Sequence, residues 1–440
     1  MAKPDVIAAI ATGPGRGAIG IVRLSGPDLS STMLEVLGKT LQPRYATPAH
    51  FLDARAEPID SGLAIYFPAP RSYTGEDVLE LQGHGGGAVL KAVLRRCIEV
   101  GARLAEPGEF TRRAFLNGKI DLAQAESVAD LIDASSEAAA RAALRSLNGA
   151  LSFAVNSVSE ELLELRIKVE AGIDFPEEDV ERLEQEAYKA ALVAVAAEAR
   201  DLLGKVEQGT RLREGLKVAI VGAPNVGKST LLNHLAGEPL AIVTEVPGTT
   251  RDIIAAELTI QGVPVTLLDT AGLRATRDPV EEIGVSRALE AAATADVLLE
   301  IRDLSRPGEA QDGLGLPPDV KAIVVYNKMD LVENRSAHIR NGVCISAKTG
   351  EGIEDLRKSI LACSGWDHAS EDVAFIARER HLIALARAVE HIEAASRHDG
   401  PPELVAEELR LASIEMGKIR GVLTADDLLG EIFSRFCIGK

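Results

Sequence analysis

The chain has 440 residues, of which 46% are hydrophobic and 26% charged, and a formal net charge of −18. Such a length suits about three domains, and the composition excludes a disordered, collagenous or disulfide-stapled protein. The apolar stretches are far shorter than a membrane span, and the acidic balance argues against a broad nucleic-acid-binding surface. Residues 1–120 nevertheless carry a net +2 and the remainder −20, so a nucleic-acid substrate would need basic surface from a partner.

The N-terminus, Met1-Ala-Lys-Pro-Asp5, runs into a short apolar segment and Gly13-Pro-Gly-Arg-Gly17. This lacks the long apolar region and small-residue cleavage site of a signal peptide. Short β-like runs follow at Ala18–Leu24, Leu63–Phe67 and Val78–Gln82, with Gly/Pro turns between them and a helix-like stretch at Val89–Val100. Residues 1–120 therefore read as a small α+β domain. Two motifs here mislead. Gly15-Arg-Gly17-Ala-Ile-Gly20 matches a dinucleotide fingerprint, but a strand-like run follows it where a helix is required. His84-Gly-Gly-Gly87 resembles an esterase oxyanion loop, yet the chain has no G-x-S-x-G elbow to accompany it.

From 121 to 213 the pattern is helical, at Asp121–Leu147, Asn156–Glu170 and Glu181–Val206, with Pro176 as a breaker. From 214 to 364 strands alternate with helices, the pattern of a doubly wound α/β domain. Helix then returns at Val373–Ser396, Glu403–Met416 and Ala425–Phe436, so 365–440 reads as the second half of one helical domain into which the α/β domain is inserted. The four cysteines, Cys97, Cys344, Cys363 and Cys437, form no CxxC pair or zinc-spaced cluster. Reduced thiols in a cytoplasmic protein are expected. Cys437-Ile-Gly-Lys440 imitates a prenylation box, but lysine does not suit its last position.

Chemistry concentrates in the inserted domain. Gly222-Ala-Pro-Asn-Val-Gly227-Lys228-Ser229 matches G-x-x-x-x-G-K-[ST] between an apolar run, Val218–Val221, and a helix-like run, Thr230–Leu235. Backbone N–H groups of such a loop surround a polyphosphate; Lys228 reaches its β- and γ-phosphates and Ser229 binds Mg²⁺. Asp269-Thr270-Ala271-Gly272 follows the strand-like Val265–Leu268. Asp269 orients Mg²⁺ through water there, and Gly272 offers its N–H to the γ-phosphate. Asn327-Lys328-Met-Asp330 follows Ala322–Tyr326, and the Asp330 carboxylate can accept from both N1–H and the 2-amino group of guanine, a donor pair that adenine lacks. Ser346-Ala347-Lys348 completes the base pocket. The nucleotide is GTP, held by Asn225, Val226, Gly227, Lys228, Ser229 and Thr230, by Thr249 and Thr250, by 269–272, by Asn327, Lys328 and Asp330, and by 346–348. In Pro247-Gly-Thr249-Thr250, Thr250 is assigned to close the Mg²⁺ shell, with Thr249 as runner-up. Leu273 stands where many GTPases place a water-orienting glutamine, which leaves Glu281 and Glu282 as candidates for that role.

The chain as a whole resembles the MnmE (TrmE) family of tRNA-modification GTPases. The resemblance extends beyond the GTPase motifs to Ala11-Thr-Gly-Pro-Gly-Arg-Gly17, Gly20-Ile-Val-Arg23, Tyr73-Thr-Gly-Glu-Asp77, Glu80-Leu-Gln-Gly-His-Gly-Gly86, Pro107-Gly-Glu-Phe-Thr111, Arg113-Ala-Phe-Leu-Asn117, Lys119-Ile-Asp-Leu-Ala-Gln-Ala125 and Phe436-Cys437-Ile-Gly-Lys440. It implies a multidomain α/β plus α fold: an N-terminal folate-binding and dimerisation domain, a discontinuous helical domain and an inserted P-loop, Ras-like GTPase domain. It implies a tetrahydrofolate one-carbon donor (5,10-methylene- or 5-formyl-) contacted by Arg23, Glu80, Lys119 and Lys440, with Cys437 nearby as nucleophile, proton donor or structural thiol. It implies K⁺ held by Asn225, Thr244, Val246 and Thr249, and Glu281 as the water-positioning catalytic residue beside Lys228 and Thr250. It further implies a homodimer working with the flavoprotein MnmG, in a heterotetramer or larger assembly with FAD only in that partner, on the wobble uridine of certain tRNAs and away from any membrane. Two other classes compete, a ribosome-assembly GTPase and a folate-binding transferase that GTP only regulates. The C-terminal helices lack the texture and GXXG loop of the KH module expected of the first. Glu300 and Arg302 interrupt an otherwise apolar strand-like run, Ala295–Arg302, and neither the nucleotide motifs nor the resemblance explains them.

Overall fold

The computed structural model describes residues 5–174, 182–223, 225–237, 254–269, 295–306, 321–332, 342–366, 375–398 and 401–421, together with 432, 433, 436 and 439. Two compact units emerge, one of Met1–Ala129, Ser146–Ala199 and Ile383–Lys440, the other of Asp130–Arg145 and Arg200–Leu382.

In the first unit, six strands pair in the order β3-β4-β5-β2-β1-β6. They are β1 (Ile7–Ile10), β2 (Ile19–Gly26), β3 (Thr47–Leu52), β4 (Pro58–Phe67), β5 (Asp77–His84) and β6 (Arg103–Leu104). All pairings are antiparallel except β1 with β6. Alternation along β2 sends Val22 and Leu24 into a core shared with Leu79, Leu81 and the helices Ser30–Leu37 and Gly87–Glu99. Arg23, between them, points to the other face. The antiparallel register sets it opposite Glu80. The strand Ile19–Gly26 stands where the fingerprint at Gly15–Gly20 would need a helix.

The helical part of this unit packs Ala150–Asp174 along Pro402–Arg420. Leu151, Val155, Val158, Leu162, Leu165 and Val169 are buried on the first helix, and Val405, Leu409, Ala412, Met416 and Ile419 on the second. Both sets recur at three- and four-residue intervals, the stripe that two helices need to seal a common seam. The helix expected across Asp121–Leu147 is instead two, Leu122–Ile132 and Glu137–Leu147. Ser136 accounts for the break. Its Oγ accepts the N–H of Ala139 at 3.1 Å, and its carbonyl accepts that of Ala140, so it starts a new helix as an N-cap. Likewise, the helix expected over Val373–Ser396 begins only at Glu379.

In the second unit, β7 (Leu216–Val221), β8 (Ile254–Ile260), β9 (Val263–Asp269), β10 (Val297–Asp303), β11 (Ala322–Asn327) and β12 (Val343–Cys344) form a sheet in the order β12-β11-β10-β7-β9-β8. Every pairing is parallel except the β8–β9 hairpin. Its turn, Gln261-Gly262, takes φ of 48° and 87°, the left-handed pair that a tight hairpin requires. The helices Lys228–Ala236 and Ile353–Ser364 cover one face and contribute Leu231, Leu235, Leu356 and Ile360 to the core.

The interruption of β10 now has a physical account. Glu300 is 6% exposed, and both of its carboxylate oxygens accept from Arg302, at 3.1 Å from Nε and 3.0 Å from Nη2. Residues two apart on a strand share a face, so the two charges meet there in fork geometry and offset each other's desolvation. A second buried carboxylate, Asp130, accepts from Arg213 Nε at 2.8 Å and Arg378 Nη2 at 2.9 Å. It joins three segments of the second unit that are far apart in sequence. Among the described residues, no helix is long and apolar enough to cross a membrane.

Candidate GTP and one-carbon sites

Parallel pairing puts the carboxyl ends of β7, β9, β10 and β11 along one edge of the sheet, the usual place for a ligand crevice in an α/β domain. The loop after β7 reaches the helix Lys228–Ala236 through Asn225, at φ 63°, and Gly227, at φ 100°. Neither glycine of this loop can be replaced without displacement. A Cβ on Gly222 would lie 2.4 Å from the carbonyl oxygen of Ile301, and one on Gly227 would lie 2.2 Å from Asn327 Nδ2. Lys228 Nζ donates to the carbonyls of Gly222 at 2.5 Å and Ala223 at 2.8 Å, so its ammonium sits over the loop. Val226 is buried beneath it, while Ser229 and Thr230 are exposed in the first helical turn.

Asn327 joins this loop to the loop after β12. At 2% exposure, its Nδ2 donates to the Val226 carbonyl at 2.8 Å and its Oδ1 accepts the Ala347 N–H at 2.9 Å. Lys328 takes a left-handed φ of 67° and leads into a short 3₁₀ turn, Met329–Leu331, that carries Asp330. Buried Ser346 donates from Oγ to Asp330 Oδ1 at 2.7 Å, which fixes the carboxylate by the loop that would meet the guanine O6. Lys348 is exposed at the rim. The structure thus brings together the described parts of the expected nucleotide set: 225–230, Asn327, Lys328, Asp330 and 346–348. The backbone of Asp269 ends β9 opposite Ile220. Thr244, Val246, Thr249, Thr250, Thr270, Ala271, Gly272 and Glu281 lie outside the described residues.

Asp303 was not legible as part of this region. It ends β10 in register with Asn327 and accepts from Lys328 Nζ at 2.6 Å. Burial pushes its carboxyl up, but the hydrogen bonds from Lys328 and Ser305 outweigh that effect and hold it below the usual carboxylate range. The available signal was an aspartate at a strand end, one parallel register from the Asn327-Lys-Met-Asp330 motif.

In the first unit, Arg23 Nε donates to Glu80 Oε1 at 3.0 Å and Arg23 Nη1 to the carbonyl of Gly439 at 3.4 Å. The guanidinium carbon lies 5.8 Å from the ring centres of both Tyr73 and Phe110, within cation–π range. Gln82 donates to the other Glu80 oxygen at 3.3 Å. A Cβ on Gly439 would lie 2.4 Å from the carbonyl oxygen of Ile10, so the chain's last turn lies close against β1. Lys119 donates to the Pro70 carbonyl at 3.1 Å. Cys437 and Lys440 are outside the described residues. Tyr73 and Phe110, to which the sequence reading gave no role, are the aromatic walls beside Arg23. Burial pushes the Tyr73 phenol up. His84, dismissed as an oxyanion donor, pairs through Nδ1 with Asp60 at 2.7 Å.

Comparison with known proteins gives this geometry a context. Residues 122–437 match the family described as MnmE helical domain, and residues 6–119 match the GTP-binding protein TrmE N-terminus. A protein of Thiobacillus denitrificans described as tRNA modification GTPase MnmE is 52% identical over 440 residues, which is 100% of this chain and 98% of that protein. The chain belongs to the MnmE family. A MnmE of Aromatoleum aromaticum is also 52% identical, across 99% of this chain and 98% of its own, and one of Nitrosospira multiformis is 51% identical across 100% of both. Among solved structures, the FeoB G-domain from Methanococcus jannaschii matches 34% of this chain and 98% of its own at 26% identity, with a TM-score of 0.26. The multidomain α/β plus α architecture of the MnmE family is the one found here.

If Asp330 is the guanine acceptor that the sequence motif predicts, Asp330→Asn is expected to weaken GTP binding by about 10- to 100-fold, the worth of hydrogen bonds to a charged acceptor. It should also shift preference towards xanthosine triphosphate, whose 2-oxo group suits an amide donor. Titration of both nucleotides against the variant checks this, and unchanged GTP affinity would contradict the base assignment.

Proposed function

We infer that this tRNA modification GTPase of the MnmE family uses GTP hydrolysis to drive pairing and rearrangement of its GTPase domains during modification of the wobble uridine. The observation that carries the reading is the pair of hydrogen bonds in which Asn327 donates to the Val226 carbonyl and accepts from the Ala347 N–H. They join a phosphate loop to a pocket containing Asp330, an acceptor suited to guanine. In this reading residues 214–364 are the GTPase domain, inserted into a helical domain of 121–213 and 365–440 behind an N-terminal domain of 1–120.

The donor set suits hard cations, since it offers hydroxyl, amide and backbone oxygens and no thiolate. Ser229 and Thr250 would hold Mg²⁺, and Asn225, Thr244, Val246 and Thr249 would hold K⁺. Bound there, the two ions would neutralise charge on the transferring phosphoryl group. Lys228 grips the phosphates, and Glu281 orients the attacking water. In the first unit, Arg23 and Glu80, with Tyr73 and Phe110 beside Arg23, suit a tetrahydrofolate derivative. The cation matches its carboxylate tail, the carboxylate its amine-bearing pterin edge, and the rings its aromatic plane. Lys119, Lys440 and Cys437 belong to the same proposed site. The chemistry is addition of a carboxymethylaminomethyl or aminomethyl group at C5 of the uridine. It is carried out by a homodimer with the flavoprotein MnmG, which holds the FAD and supplies basic surface that this acidic chain lacks.

Two measurements test the reading. Replacing K⁺ by Na⁺ is expected to slow GTP hydrolysis strongly, and equal rates would refute the K⁺ site. Nucleoside analysis of tRNA from cells lacking the chain is expected to show wobble uridine without its C5 substituent. An intact substituent would overturn the modification function.

A further inference from the structure

We propose that Asp303 is a positioning residue of the guanine pocket, acting through Lys328. The inference rests on the guanine reading above and adds to the pocket a residue from a different strand.

Asp303 lies at the carboxyl end of β10 and is 8% exposed. Both of its oxygens are directed. Oδ1 accepts from the Ser305 N–H at 2.9 Å and from Ser305 Oγ at 2.6 Å, and Oδ2 accepts from Lys328 Nζ at 2.6 Å. The backbone alongside is tied as well, since the Leu304 N–H donates to the Asn327 carbonyl at 2.9 Å. The carboxylate therefore has little freedom to turn, and the ammonium it holds is fixed in turn.

Lys328 occupies the position between two functional neighbours. Asn327 connects the phosphate loop to the base loop, and Asp330 follows in the same short turn. The left-handed backbone at Lys328 sets the direction in which its side chain leaves the strand. An exposed lysine stem has many rotamers, and a ligand that needs one of them must order it on binding. The Lys328 side chain is 30% exposed and the Asp303 side chain 8%. The buried partner thus anchors the half-buried one at the edge of the pocket. Asp303 remains charged near neutral pH because Lys328 and Ser305 hold its carboxyl below the usual range against the effect of burial. Its role is to order the lysine stem before the base arrives, without touching the nucleotide.

A double-mutant cycle on the full chain, read by the affinity for a fluorescent GDP analogue, separates this role from a purely structural one. Asp303→Ala is expected to weaken binding about tenfold, a mid-range coupling for residues in contact. In a Lys328→Ala background the same change should cost nothing further. Asp303→Asn keeps one acceptor oxygen, enough for Lys328 or Ser305 but not for both, and should recover part of the loss. If Asp303→Ala does not fold, Asp303→Asn in the two backgrounds carries the test, with a smaller loss that again vanishes without Lys328. An equal cost in both backgrounds, or wild-type affinity in the Asp303 variants, would overturn the proposal. Failure of the wild-type protein itself to bind GDP would instead overturn the guanine reading on which the proposal rests.

Discussion

A single carboxamide connects the two loops that carry the proposed nucleotide site. Asn327 has one donor group and one acceptor, and it uses them in opposite directions, towards the Val226 carbonyl and the Ala347 N–H. Both partners are backbone groups of loops that no strand pairing satisfies, and a buried backbone group left unpaired is costly. The loops are thereby held to one side chain, and their spacing is set by its length. The constraint extends further. Gly227 must be a glycine partly because a Cβ there would collide with Nδ2 of this same residue. The parallel order β11-β10-β7 brings Asn327 to the edge where the phosphate loop begins.

Around that link, the sheet carries charges in pairs. Glu300 and Arg302 lie within a strand that is otherwise buried. Their fork geometry explains how a central parallel strand tolerates them. Asp303 and Lys328 make a second pair at the strand end, beside the pocket. Asp130, with Arg213 and Arg378, makes a third group away from it, where one carboxylate receives two guanidinium groups from segments far apart in sequence. These buried carboxylates are each matched locally.

What the sequence made legible depended on the range of the interaction. The phosphate loop could be read because its glycines, lysine and serine act within eight consecutive positions. The sheet around it could be read because parallel strands buried on both faces are continuous apolar runs. Glu300 and Arg302 contradicted that rule until their mutual contact was seen, since strand periodicity says which residues share a face but not that two charges will neutralise each other. Asp303 stayed hidden because its meaning depends on register with Asn327, which lies on another strand. Ser136 was hidden within a run of good helix formers, and its capping role shows only once the two helices diverge. The neighbourhood of Arg23 and Glu80 was named by resemblance alone. The antiparallel register of β2 with β5 gives the physical reason that those two residues meet, and Gly439 shows how the far end of the chain reaches them.

The link through Asn327 is the claim on which the rest depends, and amide hydrogen exchange on the nucleotide-free protein tests it most directly. In Asn327→Ala, the N–H of Ala347 and the amides of the loop 225–228 should lose protection together, while the strands β7 and β10 keep theirs. Loss confined to one of the two loops, or protection equal to wild type in both, would contradict the account.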